Sequence, residues 1–327
     1  MVEDWKKKLS EATGRPLPKY EGQVQKDYSK LKKKDLSKSH GTQRDEDSSN
    51  RWLPLYNSLK RTGTTPRTME PSANTGLLFD RFCDVWSGPE KWKPESPQKD
   101  KSVKQKFLDK IVEQLKNNKK TEELLEQYHL RREALIKSLS GESRDYKTVW
   151  RFVSGLGMGH VLETGFVWHK ILGVPYLPGS SVKGMIRAWA KQWDDETKEE
   201  VNRLFGDSKD IGAGSLIVFD AIPLEKPGLE VDIMNPHYGD YYSKKKMKVT
   251  LGGRDQEIDT PPADYLSPNP IFFLTVASGI SFKFTLAVRR GKGTNNDLMN
   301  GFELLEEALE NIGAGSKTAV GYGHFTK

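Results

Sequence analysis

The stretch from Pro178 to Trp193 constrains the fold of this chain more than any other. The heptad before its helix, Gly173-Val174-Pro175-Tyr176-Leu177-Pro178-Gly179, holds two prolines and two glycines. It reads as a tight turn, because neither a helix nor a central strand runs through such a segment. Directly after it, Val182, Met185, Ile186, Trp189, Ala190 and Trp193 follow the i, i+3, i+4, i+7 spacing that lines one face of an α-helix. Ser180 or Ser181 is its natural N-cap. The opposite face shows Lys183, Arg187 and Lys191, four residues apart and stacked into a basic stripe. A helix N-terminus presents unpaired backbone N–H groups and a partial positive charge, both suited to a phosphate. An ordinary capped amphipathic helix with a solvated basic face would show the same pattern.

A second element sits at the other end of the domain. Gly313-Ala314-Gly315-Ser316-Lys317-Thr318-Ala319-Val320-Gly321-Tyr322-Gly323 follows a helical stretch and precedes a short final strand. It is not a Walker A loop, since the spacing from the first glycine to Gly-Lys-Ser/Thr is wrong. Its glycines let a backbone come close to a phosphodiester, with Lys317 as counter-charge and Thr318 as a hydroxyl donor. Tyr322 has two places open to it, in the core or stacked on a base. A flexible C-terminal loop is the plain alternative for this motif taken alone.

Between and before these motifs the chain mixes strands and helices without strict alternation, which points to an α+β fold. Residues 1–50 are mostly Lys, Asp, Glu, Ser, Gln and Gly. Such a segment buries too little apolar surface to offset its ordering entropy, so it reads as a disordered basic arm. Folded sequence begins near Trp52, and Gly76-Leu77-Leu78-Phe79 reads as a short strand or buried turn. After a Pro- and Lys-rich loop at 88–101, one helix places Val103, Phe107, Leu108, Ile111 and Leu115 on one face. A second carries Leu124, Leu125, Tyr128, Leu135 and Leu139. The two suggest a helical hairpin inserted at about 101–140. Val149–Val153 and Glu163–His169 read as strands around the turn Gly155-Leu156-Gly157-Met158-Gly159. Ser215–Phe219 is a strand, and Ile271–Val276 with Ile280–Val288 reads as an antiparallel pair joined at Ser278-Gly279. Asp297–Asn311 is a helix with Leu298, Phe302, Leu305 and Leu309 inward.

Charge narrows the partner class. With 52 basic and 45 acidic side chains, the net charge of +7 suits a polyanion, although a solvated surface alone can give such a balance. One cysteine, Cys83, excludes an intrachain disulfide framework and a Cys-rich zinc site. Met1–Ser10 has no apolar run of a signal peptide, and no apolar stretch approaches the roughly 20 residues that span a bilayer. The expectation is a soluble cytoplasmic protein with no membrane association.

Taken in order, the motifs resemble a known family. Asn74-Thr75-Gly76-Leu77-Leu78-Phe79, Gly155-Leu156-Gly157, Leu162-Glu163-Thr164-Gly165 and the run from Gly173 to Gly184 are followed by Leu204-Phe205-Gly206. Phe219-Asp220-Ala221, the run from Asn235 to Tyr242 and the ending from Gly313 to Phe325 complete the series. They resemble the RAMP superfamily of CRISPR proteins, and within it the sixth-subunit family of type III-B Cmr effector complexes. The likeness runs from about Asn74 to the C-terminus and leaves out the arm before Arg51. It implies a ferredoxin-like, RRM-type domain over residues 51–327 and a role in a filament wrapped along a guide RNA, in antiviral defence. It implies guide contacts by Ser180, Ser181, Lys183, Arg187, Lys317 and Thr318, with Gly315 in the loop between them. Further implied partners are target RNA, the catalytic backbone subunit and the small helical subunit, with this chain capping the filament towards the guide's 3′ end. Contacts to phosphate and sugar alone would serve many guides.

Catalysis is the weaker expectation. Related subunits that cut RNA carry an aspartate where this chain has Glu163, so the cleaving pattern is absent or altered, and a salt-bridged or solvated glutamate is the plain account of it. His160, in the Gly-rich turn, is a candidate RNA contact. His160 or His237 would be the general acid/base of a metal-independent endoribonuclease, because imidazole titrates near neutrality. No histidine pair shows metal-ligand spacing, so no metal and no cofactor is expected. The loop Met234–Arg254, with Tyr238, Tyr241, Tyr242 and Lys244-Lys245-Lys246, suits single-stranded RNA or a subunit surface.

Overall fold

The structure, a computed structural model, describes residues 70–85, 102–192, 197–206, 212–251, 254–263, 266, 268 and 270–327. The basic arm, the start of folded sequence near Trp52, the loop at 88–101 and Trp193 lie outside the described residues.

Nine strands and seven α-helices are assigned among the described residues. The main sheet holds β1 (Glu142–Thr148), β2 (Leu216–Val218), β3 (Ile222–Pro223), β8 (Ser281–Val288) and β9 (Phe325–Thr326). All neighbours are antiparallel, in the order β2-β8-β1-β9, with β3 extending the β2 edge along β8. Along the chain this sheet reads β1, helix α4 (Gly179–Gln192), β2, β8, helix α7 (Asn295–Asn311), β9, a β-α-β-β-α-β order. Helices α4 and α7 pack on each other and on the sheet. Val182, Ile186 and Ala190 of α4 meet a core with Phe302, Leu305 and Leu309 of α7. Thus the apolar spacings at Val182 and Leu298 do specify the two covering helices.

Strand β1 is the element that sequence patterning missed. Glu142-Ser143-Arg144-Asp145 reads as polar, and only Tyr146 and Thr148 are buried. The strand is nonetheless central, paired with β8 from Glu142↔Leu286 to Lys147↔Ser281. Arg144 takes the place of an aliphatic residue: its guanidinium lies 4.3 Å from the centroid of the Phe302 ring and 2.8 Å from Glu142 Oε1. The expected strands at Val149–Val153 and Glu163–His169 are instead irregular, with single bridges at Phe152↔Val276 and Trp168↔Pro175.

Strands β7 (Ile271–Val276) and β8 form where expected but do not pair with each other. β7 pairs with β4 (Leu229–Met234) in a separate two-stranded sheet. Thr148 separates them. Its backbone exchanges hydrogen bonds with the N–H of Gly279 and the carbonyl of Ile280, and its hydroxyl bonds Ala277 O and Ile280 N. With the turn's polar groups engaged by β1, β7 and β8 diverge into different sheets.

Two further expectations change near the N-terminal end. Thr75–Arg81 is a helix, α1, not a strand or turn: Asn74 Oδ1 accepts from Leu77 N–H at 2.9 Å as its N-cap. Helices α2 (Val103–Asn117) and α3 (Lys119–Ser138) exist, but they are not a hairpin. Only Asn118 separates them, fewer residues than an antiparallel return takes. Helix α2 packs on β4 and β7, whereas α3 reaches β3 and its flank through His129 Nε2 on Pro223 O and Arg132 on Asp220 O. The remaining helices are α5 (Lys198–Phe205) and the short α6 (Gly239–Tyr242), and β5 (Lys246–Leu251) pairs with β6 (Arg254–Asp259).

Candidate nucleic-acid interface

Helix α4 starts at least two residues earlier than its serines suggested. Gly179 is its first residue, so Ser180 and Ser181 lie in the first turn and neither is the N-cap. The cap comes from another segment: Asp220 Oδ1 accepts from Gly179 N–H at 2.7 Å. A carboxylate here satisfies an orphan donor and complements the helix dipole. Between β2 and β3 the edge of the sheet delivers it, where Ala221 bonds Leu177 in both directions. Gly179 is glycine because a Cβ would stand 2.6 Å from Val218 O.

The Gly-rich ending is held just as closely. Ser316 N–H donates to Val153 O at 2.7 Å, Gly323 N–H to Arg151 O at 2.8 Å, and Ala314 N–H to Gly323 O at 2.7 Å. Gly315 has φ +90°, and a Cβ on it would lie 2.3 Å from Val153 O. Lys317 is left-handed at φ +62° without being a glycine, a conformation that costs about 1–2 kcal/mol. Its Nζ sits 5.8 Å from the Tyr322 ring centroid and 5.9 Å from that of Phe273.

These two elements meet in one groove of about 470 Å³. Pro178, Ser181 and Met185 of the α4 region form one wall; Gly313, Gly315 and Thr318 belong to the other. Helical geometry then sorts the remaining candidates. At about 100° per residue, Ser181 and Met185 share the groove flank, while Lys183 and Arg187 point some 200° away, beyond the buried stripe. The expected single site is therefore two flanks of one helix. On the far flank Lys183 is partly buried, and its ammonium is held below the usual lysine range by that burial and by Arg187 and Arg289. Arg187 donates to Asn202 Oδ1 at 3.2 Å. Arg289, just past β8, was missed from sequence, where only the pair Arg289-Arg290 at a strand end marked it. Lys191 is exposed further along the helix.

Tyr322 and His160 are placed away from solvent-facing roles. Tyr322 is 6% exposed, with its ring against Trp150 and Phe273, and its hydroxyl donates to Asp232 Oδ2 at 2.6 Å. Of its two openings, the core is the one it occupies. Burial and then Asp232 push its hydroxyl up to about 12. His160 stacks on Phe79 at 4.2 Å. Its Nδ1 accepts from Leu162 N–H at 3.2 Å, so the proton is on Nε2 and is donated to Phe79 O at 3.0 Å. Burial lowers its pKa, keeping the ring neutral. Glu163 pairs with Lys104 Nζ at 2.6 Å from a left-handed backbone, φ +78°. His237 is exposed on the loop before α6, where Tyr241 and Tyr242 are also exposed. Among the described residues, no three His, Cys, Asp or Glu side chains gather as a metal site, and no helix is long and apolar enough to cross a membrane.

The model of the RAMP superfamily matches residues 145–326, which takes in the end of β1, both flanks of α4 and the Gly-rich ending. The chain belongs to the RAMP superfamily. It is similar to the CRISPR system Cmr subunit Cmr6 of Pyrococcus furiosus, at 29% identity over 277 residues, covering 66% of this chain and 77% of the relative. The Cmr6 subunit of Saccharolobus solfataricus is 23% identical over 274 residues, covering 77% and 87%. A chain in the cryo-EM structure of the type III-B Cmr-beta complex bound to cognate target RNA aligns with a TM-score of 0.51 at 19% identity, over 77% of this chain and 87% of that one. That likeness concerns the fold.

Proposed function

We propose that this RAMP protein is a non-catalytic RNA-binding subunit of a type III-B CRISPR effector complex, holding the guide towards its 3′ end. The convergence of Ser181 with Gly315 and Thr318 on one groove carries this proposal. Hydroxyls, close-approach glycines and a helix start suit sugar and phosphate and offer nothing that reads a base. Lys183, Arg187 and Arg289 on the far flank, with Lys317 beside the groove, supply charge for neighbouring phosphates. The β-α-β-β-α-β order and the β2-β8-β1-β9 arrangement support a ferredoxin-like core within residues 51–327. Helices α2 and α3 are an insertion in it. The Cmr6 relatives support membership of a Cmr complex, where the neighbours would be a catalytic backbone subunit, a small helical subunit and target RNA. A non-catalytic role is supported by His160, whose two ring nitrogens are both engaged, and by Glu163, which is spent on Lys104.

The test is salt-dependent binding of the full chain to a single-stranded RNA of guide length. Each phosphate contact on a single strand contributes about 0.7 to the slope of log K against log salt. Lys183→Ala with Arg187→Ala should therefore reduce the slope by about 1.4 and weaken binding on every sequence alike. An unchanged slope and affinity would remove those residues from the interface. Site-specific cleavage of a labelled repeat RNA, abolished in His160→Ala, would overturn the non-catalytic reading.

A further inference from the structure

Away from the RNA face, α3 and the β3–β8 edge enclose a groove of about 500 Å³ with the opposite character. Leu125 is buried at its floor, Leu224 is partly buried in its wall, and Leu130 stands on its rim 63% exposed. A lone exposed leucine is ordinary, but this one borders an open, apolar-floored cavity of a size that takes a few large side chains.

The charges around the groove are what identify its occupant. Lys226 is already spent, on Glu122 at 2.6 Å and on the carbonyls of Lys116 and Asn118 at the end of α2. Lys283 lies between Asp145 at 3.6 Å and Glu133 at 3.9 Å. That leaves Glu126 and Glu225, both exposed and without an ion pair among the described residues. On a chain of net charge +7, two unpaired carboxylates beside a leucine-lined floor are a local inversion of sign. They repel a phosphodiester and attract a cation that carries its own apolar surface.

We propose that this groove docks a short basic amphipathic segment of a protein partner, with aliphatic side chains on Leu125 and Leu130 and Lys or Arg on Glu126 and Glu225. An amphipathic helix in a groove is the recognition mode that matches this combination. The site goes beyond RNA binding and gives this subunit a protein-facing side chemically distinct from its RNA-facing one.

The experiment places a photo-crosslinking amino acid at Leu130 in the full chain, with Glu303 on α7 as the control position. The ribonucleoprotein is purified from the native host, irradiated, and the adduct peptide is sequenced by mass spectrometry. The expected adduct is a segment of another protein, of net positive charge and with aliphatic residues. Glu126→Lys with Glu225→Lys should lower its yield at least tenfold while the melting temperature is unchanged. An adduct to RNA, to an acidic segment or within this chain itself, or a yield no higher than at Glu303, overturns the proposal. RNA content measured on the same sample separates the two claims: RNA retained without the adduct sinks the groove alone, and the adduct present without RNA sinks guide binding alone.

Discussion

Replacing Gly315 by alanine should damage the groove from its backbone outward, while the same change at Gly157 should do nothing. At Gly315 the new methyl group meets Val153 O at 2.3 Å, and φ is +90°. A left-handed alanine costs roughly 1–2 kcal/mol. Relieving the clash moves Val153 O away from Ser316 N–H, a 2.7 Å bond, and a lost backbone hydrogen bond adds about 1 kcal/mol. The sum, about 2–3 kcal/mol, corresponds to a melting temperature lower by roughly 5–10 °C for a domain of this size. At Gly157 a Cβ meets nothing within 4 Å, so Gly157→Ala should melt within about 1 °C of the parent. Thermal melts of both variants, followed by RNA binding well below the lower transition, separate stability from contact. Gly315→Ala should also bind RNA at least tenfold more weakly once folded, because Ser316 and Thr318 move with the loop. Equal melting temperatures for the two variants would refute the assigned loop geometry.

Three further outcomes follow from named contacts. Asp297 is 3% exposed, completes the capping box of Thr294 and takes Arg203 at 2.7 Å; chiefly that hydrogen bond lowers its pKa to about 2. A depressed carboxylate stabilises above its unfolded pKa, so Asp297→Asn should cost about 2 kcal/mol at pH 7 and about half that at pH 3, read by urea unfolding; a cost that does not change with pH contradicts it. Asp220→Ala should destabilise by about 1 kcal/mol through loss of the α4 cap, and Asp220→Asn, which keeps an acceptor, by clearly less; identical losses would show that Gly179 N–H is not what Asp220 serves. Burial raises the Cys83 thiol to about 12, so at pH 8 it should resist a thiol reagent until the protein is unfolded, and prompt labelling of the native protein would place it elsewhere.

How far these features were legible in sequence depended on whether a local signal existed. Helices α2, α4 and α7 were readable because each buries a regular apolar stripe. Strand β1 was not, because the sheet recruits Arg144 through its aliphatic stem and its contact with Phe302, which no alternation pattern shows. The separation of β7 from β8 depends on Thr148, more than 120 residues away, so a local turn rule favoured the hairpin. In the candidate site, the serines, glycines and basic residues were visible. Their grouping was not, since it depends on which flank of α4 faces the ending. The Asp220 cap is supplied by a segment 41 residues distant, and with Asp220 in place neither Ser180 nor Ser181 needs to be the N-cap. Tyr322 offered two places from sequence; its hydroxyl partner, Asp232, lies on β4, 90 residues away.

The central claim is that the α4 start and the Gly-rich ending together hold guide RNA by its backbone. Ultraviolet crosslinking of the assembled ribonucleoprotein, with crosslinked peptides mapped by mass spectrometry, tests it most directly. The account predicts adducts within residues 180–187 and 313–318, at similar yield for guides of unrelated sequence. RNA adducts absent from both segments, with the guide still present in the particle, would contradict it.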